Sequence, residues 1–417
     1  MAMFPVHATA KVVRSVLYVS VVTLSSGVTP AFANAWQLET SYGAQLGFDD
    51  NFKLNNVDED KLEVTSLKAS VGLSAVRLSP AIQSSAGIRL DAFSFDDNQS
   101  ELDDRVDITL RYDTRHVQPR YEWRLQATYR DDSLLQDISL DAGTLVLPED
   151  VESGLSREDV RRGRLSIAPS YLYQLSPVSR VRVSGDISSV EHDNVEFQRG
   201  SFIVTTNLVD FVSTGINAQY ERDLNPINSW WTDLELQDYN SDSSEFSYQT
   251  QLLGAGFRHR FSETSDIAFR AAFRNTDFDS DAQSGSDDGV LAQIEANRST
   301  GRTTYAGRVG RTLFPSGSGD VVLADELILN AVHQYSELVT LTWRNKLFQN
   351  KALRDNANAD RRFLALEPSV NWRFKRWWVL DAGLRYRREK RDNVATSGVS
   401  TAGFVGVTYS RPLQGGR

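Results

Sequence analysis

From Trp36 onward apolar and polar residues take turns along the chain. Trp36, Leu38, Thr40, Tyr42, Ala44, Leu46 and Phe48 alternate with Gln37, Glu39, Ser41, Gly43, Gln45 and Gly47. A period of two marks a strand with one apolar and one polar face. The same alternation places Tyr121, Trp123, Leu125, Ala127 and Tyr129 opposite Glu122, Arg124, Gln126, Thr128 and Arg130. It recurs with Ile267, Phe269, Ala271 and Phe273 against Arg270 and Arg274, and with Trp378, Leu380, Ala382, Leu384 and Tyr386 against Asp381, Gly383, Arg385 and Arg387.

A soluble sandwich alternates too, with its polar face in bulk water and its apolar face in a shared core. Three features point elsewhere. The alternating runs continue for most of the chain. Their apolar sets are bounded by aromatics, as in Trp36 with Phe48 and Tyr121 with Tyr129, which is the girdle pattern of a lipid-facing wall. The connections also alternate in length. Those at 77–83, 174–179, 222–229, 261–265, 334–338 and 374–377 are short, several with a Pro turn such as Ser79-Pro80, Ser176-Pro177 or Asn225-Pro226. Those at 49–61, 96–104, 131–162, 189–207, 275–288 and 349–360 are longer and acidic. Short turns on one side and long loops on the other are expected of an outer-membrane barrel. The fold predicted is all-β: a transmembrane antiparallel up-and-down β-barrel of about 18 strands, or 16 if the segments 290–296 and 403–409 are not strands.

The first residues change the picture of where the chain acts. Lys11 and Arg14 form a basic start, Val16 to Leu24 a short apolar core, and Gly27 and Pro30 break it before small residues at Ala31, Ala33 and Ala35. This is the layout of a secretory signal peptide. The expected division is a signal peptide over 1–35, cleaved after Ala33 or Ala35, and a barrel over 36–417. The apolar run is about half the ~20 residues that a membrane-spanning helix requires. A mean hydropathy of -0.38 would suggest a soluble protein, but strands that show lipid only alternate residues average out to such values. The chain has no cysteine, which excludes disulfide scaffolds and thiolate metal sites. The formal net charge is -10 without a polybasic cluster, which argues against a nucleic-acid partner.

The candidate chemistry lies on the polar face. Arg89, Arg105, Arg111, Arg124, Arg130, Arg180, Arg182, Arg270, Arg274, Arg308, Arg344, Arg385 and Arg387 are expected to line the lumen. Acids on the same face include Asp91, Asp107, Asp186, Glu326, Glu367 and Asp381. A charged wall must be wet or mutually paired. Unpaired arginines would favour anionic or hydroxyl-rich solutes, because guanidinium offers a planar fork of donors; pairing across strands is the simpler fate of each one taken singly. The acidic loops supply oxygen ligands of the kind Ca²⁺ takes, but match no calcium-binding repeat and read as solvated surface. His7, His116, His192, His259 and His333 are scattered and form neither a metal spacing nor a nucleophile motif. Neither a cofactor nor an enzymatic activity is expected, and His259 reads as a girdle residue.

The segments SYGAQLGFDDNF, LVDFVSTGINAQYERDLNPINSWWTDLELQDY and LFPSGSGDVVLADELILNAVHQYSELVTLTWRNKLF resemble an outer-membrane barrel family found with exopolysaccharide biosynthesis operons, also grouped among type-2 β-barrel porins. The shared signals are an aromatic-Asp-Asp-Asn at the first strand end, the Pro turn, and a Pro-Ser-Gly-x-Gly loop within 314–319. The resemblance implies a channel or scaffold in polysaccharide export or assembly, with outer-membrane lipid or lipopolysaccharide, polysaccharide and a periplasmic polysaccharide-export protein as partners. A general diffusion porin is the alternative, with an outer-membrane hydrolase as a third reading. In a porin, the loop at 131–162, with its apolar runs, would be the constriction. The chain departs from the usual aromatic end of such barrels: Tyr409 is followed by Ser-Arg-Pro-Leu-Gln-Gly-Gly-Arg.

Overall fold

The structure is a computed structural model that describes residues 36–54, 61–79, 81–99, 102–133, 160–193, 196–199, 202–205, 209–241, 247–279, 284–315, 321–352, 361–391 and 396–413. The signal-peptide segment, nearly all of the 131–162 loop and most of the Pro-Ser-Gly-x-Gly loop lie outside the described residues. Twenty strands follow in chain order: β1 (Gln37–Asp49), β2 (Val64–Leu78), β3 (Ile82–Asp97), β4 (Arg105–Val117), β5 (Tyr121–Ser133), β6 (Arg161–Ser176), β7 (Ser179–Asp193), β8 (Glu196–Arg199), β9 (Phe202–Thr205) and β10 (Phe211–Asn225). The second half holds β11 (Asn228–Ser241), β12 (Ser247–Ser262), β13 (Ser265–Asp279), β14 (Gly285–Ser299), β15 (Thr303–Pro315), β16 (Val321–Gln334), β17 (Val339–Ala352), β18 (Arg361–Lys375), β19 (Trp378–Arg391) and β20 (Gly398–Leu413).

Eighteen of these form one antiparallel sheet in which each strand pairs with the next. β7 pairs directly with β10, from Arg222↔Ser179 to Phe211↔Val190. The small β8–β9 hairpin forms a sheet of its own, inserted between them. β1 pairs with β20 from Leu38↔Leu413 to Asp49↔Ala402, which closes the barrel. Segments 290–296 and 403–409 are both strands, so the count is 18 and not 16. The strands outrun the apolar alternation because their outer ends are polar on both faces: β5 continues to Ser133, β6 starts at Arg161, and β13 reaches Asp279.

The outer face carries the apolar set. Leu253, Phe273, Val290, Leu384, Phe48 and Trp343 are all exposed. Nearest the short turns this face ends in aromatics. His116 stacks on Tyr121 and Trp123, Tyr121 on Tyr171, and His259 meets Phe261 edge-on. Tyr409 stands between Tyr42 and Trp378, so the last strand contributes to the same girdle. In a closed sheet every strand has a partner on each side, and a contiguous apolar wall would be untenable in water. The protein is an outer-membrane β-barrel. A barrel of 18 strands is wide enough to hold an aqueous lumen.

Candidate functional site: the lumen and its coverings

All thirteen arginines expected in the lumen lie on the inner-facing parity of their strands, and register decides what each one meets. Arg89 pairs with Asp91 at 3.0 Å, Arg105 with Asp107 at 3.7 Å and Arg124 with Asp113 at 2.6 Å. Arg308 pairs with Glu326 at 3.0 Å, and Arg385 with Glu367 at 2.7 Å. Arg180 bonds Glu221, Arg270 bonds Asp233, and Arg274 bonds Asp287. Arg111 and Arg344 sit opposite Thr128 and Glu367 in the ladders. Arg130 and Arg182 make no ion pair among the described residues. Most of these cations are therefore ties between strands, and the lumen presents paired charge rather than a bare arginine ring. Fixing a guanidinium against a carboxylate gives the wall rigid, directional dipoles.

Some of these pairs lie on the half of the wall nearer the short turns. There Arg182, Glu221, Asp233, Glu235, Arg258 and Arg270 line a recess of about 290 Å³. Both signs are present around it, so it can meet either end of a small polar solute.

The half nearer the long loops is different, because its inner face is covered. On one side the segment after β1 folds back over the wall. Asp49 accepts hydrogen bonds from Arg387 Nη2 (2.6 Å) and Ser400 Oγ (2.8 Å), and Arg387 also donates to the Phe52 carbonyl. Asn51 Nδ2 donates to the Val399 carbonyl, and the Phe52 amide to the Leu62 carbonyl. Phe52, Leu62, Val64 and Leu102 form a buried cluster with Phe95 packed against it. Leu54 is held at φ 55°, and a Cβ on Gly398 would stand 2.0 Å from the Leu54 carbonyl oxygen. Only glycine admits so close an approach. The Phe48-Asp49-Asp50-Asn51 motif is thus a knot that fastens the first strand to the last two. Arg387, read from the sequence as a lumen cation, is its buried post.

On the opposite side the cover is part of the sheet itself. β14 and β15 pair only from Ser299↔Thr304 to Gln293↔Gly310, although both continue toward the long loops. β15 remains fully paired with β16, and β16 with β17. The outer half of this block has moved inward past β14. Leu313 packs on Val190, Phe211, Tyr239 and Tyr248 of β7, β10, β11 and β12, and Leu323 packs on Leu252, Ala272 and Leu291 of β12, β13 and β14. Beneath this cover Arg274 and Thr276 are almost fully buried, and Thr250 and Thr276 share a hydrogen bond at 3.0 Å. A Cβ on Gly310 would lie 2.9 Å from the Ala292 carbonyl oxygen, which marks where the two strands cross most closely.

This overlap was not anticipated from the sequence, yet a signal for it was present. Val190, Phe211, Tyr239, Tyr248 and Leu252 are apolar residues at inward parity, where much of the wall is polar. Apolar groups facing a watery lumen need a cover. Among the described residues no group of His, Asp and Glu is arranged to hold a metal ion.

No protein-family model and no curated relative matches the chain. Solved structures similar to it include OpdQ of Pseudomonas aeruginosa, at 9% identity and TM-score 0.44 over 91% of this chain and 99% of that one. OccK9 (OpdG) of Pseudomonas aeruginosa is similar at 10% identity and TM-score 0.46, over 92% of this chain and 100% of that one. A BenF-like porin of Pseudomonas fluorescens Pf-5 is similar at 11% identity and TM-score 0.46, with the same coverage of both chains.

Proposed function

We propose that the barrel is a diffusion channel for small charged or zwitterionic solutes. The observation that carries this reading is the inner face itself: a wall of paired charges around the recess of about 290 Å³, followed by an outer half narrowed from two sides. Paired charges of both signs keep the lumen wet without committing it to one sign of ion. The covered outer half acts as a size filter. The polysaccharide conduit implied by the resemblance is the weaker reading, because a polymer needs an uninterrupted bore, and apolar packing on the inner wall works against one.

The test is single-channel recording of the refolded protein in planar bilayers, with reversal potentials measured across a KCl gradient. Steady conductance with weak ion selectivity is expected. Arg182→Glu, which adds an acid beside the recess, should shift the reversal potential toward cations. A barrel that inserts without conducting would overturn the channel, and block by long polysaccharide fragments in preference to short acids would restore the conduit.

A further inference from the structure

Elsewhere around the barrel the ladders run close to the full length of both strands. β13 and β14 pair from Ser265↔Arg298 to Phe278↔Gly285, and β15 and β16 from Thr303↔His333 to Pro315↔Val321. The β14–β15 ladder stops at Gln293↔Gly310. Above that point no backbone ladder joins the two strands. On the outer surface the seam meets the lipid-facing band at Val290, which is 62% exposed. On the inner surface Leu323 packs on Leu252, Ala272 and Leu291, while Leu313 packs on Val190, Phe211, Tyr239 and Tyr248 of more distant strands. Charge flanks these contacts: Arg311 pairs with Asp325 at 2.7 Å, both about half exposed, and Arg274, almost fully buried on the inner wall, bonds Asp287 of β14.

An unpaired strand edge at membrane depth is unfavourable unless protein or a cavity covers it. Here the cover is the packing of Leu323 on Leu291, which is removable in a way that a hydrogen-bonded ladder is not. A polar solute gains nothing along such a path. A molecule with one alkyl chain and a charged end fits it, the chain replacing the leucine contacts and the head reaching the Arg311–Asp325 pair. We infer that the β14–β15 seam is a lateral outlet, closed at rest by Leu323 packed on Leu291 and Leu252, through which the lumen exchanges a single-chain amphiphile with the outer leaflet. The inference builds on the channel reading, since it needs a lumen from which to exchange.

The chain has no native cysteine, so thiols can be placed where the test needs them. In Leu291→Cys/Leu323→Cys a reducible bis-methanethiosulfonate linker bridges the overlap. The probe is a fatty acid bearing a diazirine on its chain, photolysed with the protein in phospholipid vesicles, and the labelled residues are located by mass spectrometry. Label is expected on the 289–293 and 311–313 segments and on Leu252 of the inner wall. It should fall at least tenfold on bridging and return on reduction. Leu323→Ser, which weakens the seal without a linker, should raise inner-wall labelling and gives a second route should the double variant fail to fold.

Equal labelling of Leu252 in bridged and reduced barrels would mean entry through the mouth and would overturn the outlet. So would absence of label in both, or thiols that never bridge in the folded barrel. Ion conductance of the same preparation separates the two proposals. A barrel that conducts with unchanged labelling overturns the outlet alone, whereas one that never conducts overturns the channel and the outlet with it.

Discussion

The barrel has two seams that solve opposite problems. Between β20 and β1 no short connection joins the strands, since these are the two ends of the chain, yet the ladder runs from Leu38↔Leu413 to Asp49↔Ala402. Between β14 and β15 the chain is continuous through the turn at 300–302, yet the ladder stops at Gln293↔Gly310. The first seam is secured at its outer end by a buried carboxylate and guanidinium joined by hydrogen bonds, the second only by leucines. Closure of a barrel depends on backbone pairing, and the sequence reinforces that pairing where no turn can hold the strands together. Where a turn already holds one end, the other end is left to side-chain packing and can part.

The sharpest way to break this comparison is to untie the knot. Asp49 and Arg387 are both buried, so Asp49→Ala leaves a guanidinium without its main acceptor. Removing one partner of a buried pair costs on the order of 3–5 kcal/mol. The heat-modifiable band shift should therefore move to clearly lower temperature, and urea unfolding should begin at the closing seam. An unfolding curve matching that of the parent barrel would mean that the strand pairing alone closes it.

A smaller effect is expected at the parted seam. Gly310→Val places methyl groups where a Cβ would already lie 2.9 Å from the Ala292 carbonyl oxygen. Overpacking of this kind typically costs about 1–3 kcal/mol. The cost should appear as faster hydrogen exchange in β14 and β15 with little change in β20 and β1. Equal exchange changes at both seams would show that they are not independent.

The alternation in the sequence was enough to identify the strands of the wall and their parity, because a barrel wall imposes a period of two throughout. The β8–β9 hairpin, however, lies within the segment 189–207, which reads as a connection between strands. The alternation also put the arginines at the parity opposite to that of the apolar residues. It did not show which acid each arginine meets, since that depends on register between strands: Arg270 and Asp233 are separated by 37 residues and two ladders. Nor did it show the overlap. Leu313 and Leu323 hold the parity of lipid-facing residues such as Val309 and Leu327, and only the inward turn of β15 and β16 presents that face to the inner wall. The aromatic-Asp-Asp-Asn motif was visible as a pattern, but its chemistry was not, because Arg387 and Ser400 lie more than 300 residues away.

The mildest test concerns the ion pair beside the parted seam. Arg311 and Asp325 retain 48% and 56% of their side-chain exposure, so water screens them and their contribution to stability is at most about 1 kcal/mol. Arg311→Gln, Asp325→Asn and the double variant form a cycle whose coupling, read by urea unfolding, should be a small fraction of the Asp49→Ala effect. If the amphiphile's charged end uses this pair, Arg311→Gln should nonetheless weaken photolabelling of the seam by an anionic fatty acid more than by a cationic single-chain amine. A residue with little influence on stability and a charge-dependent influence on labelling serves a solute rather than the fold. Loss of stability comparable to that of the knot would instead make the outer half of β15 and β16 as firmly held as the closing seam, and the difference between the two seams would vanish.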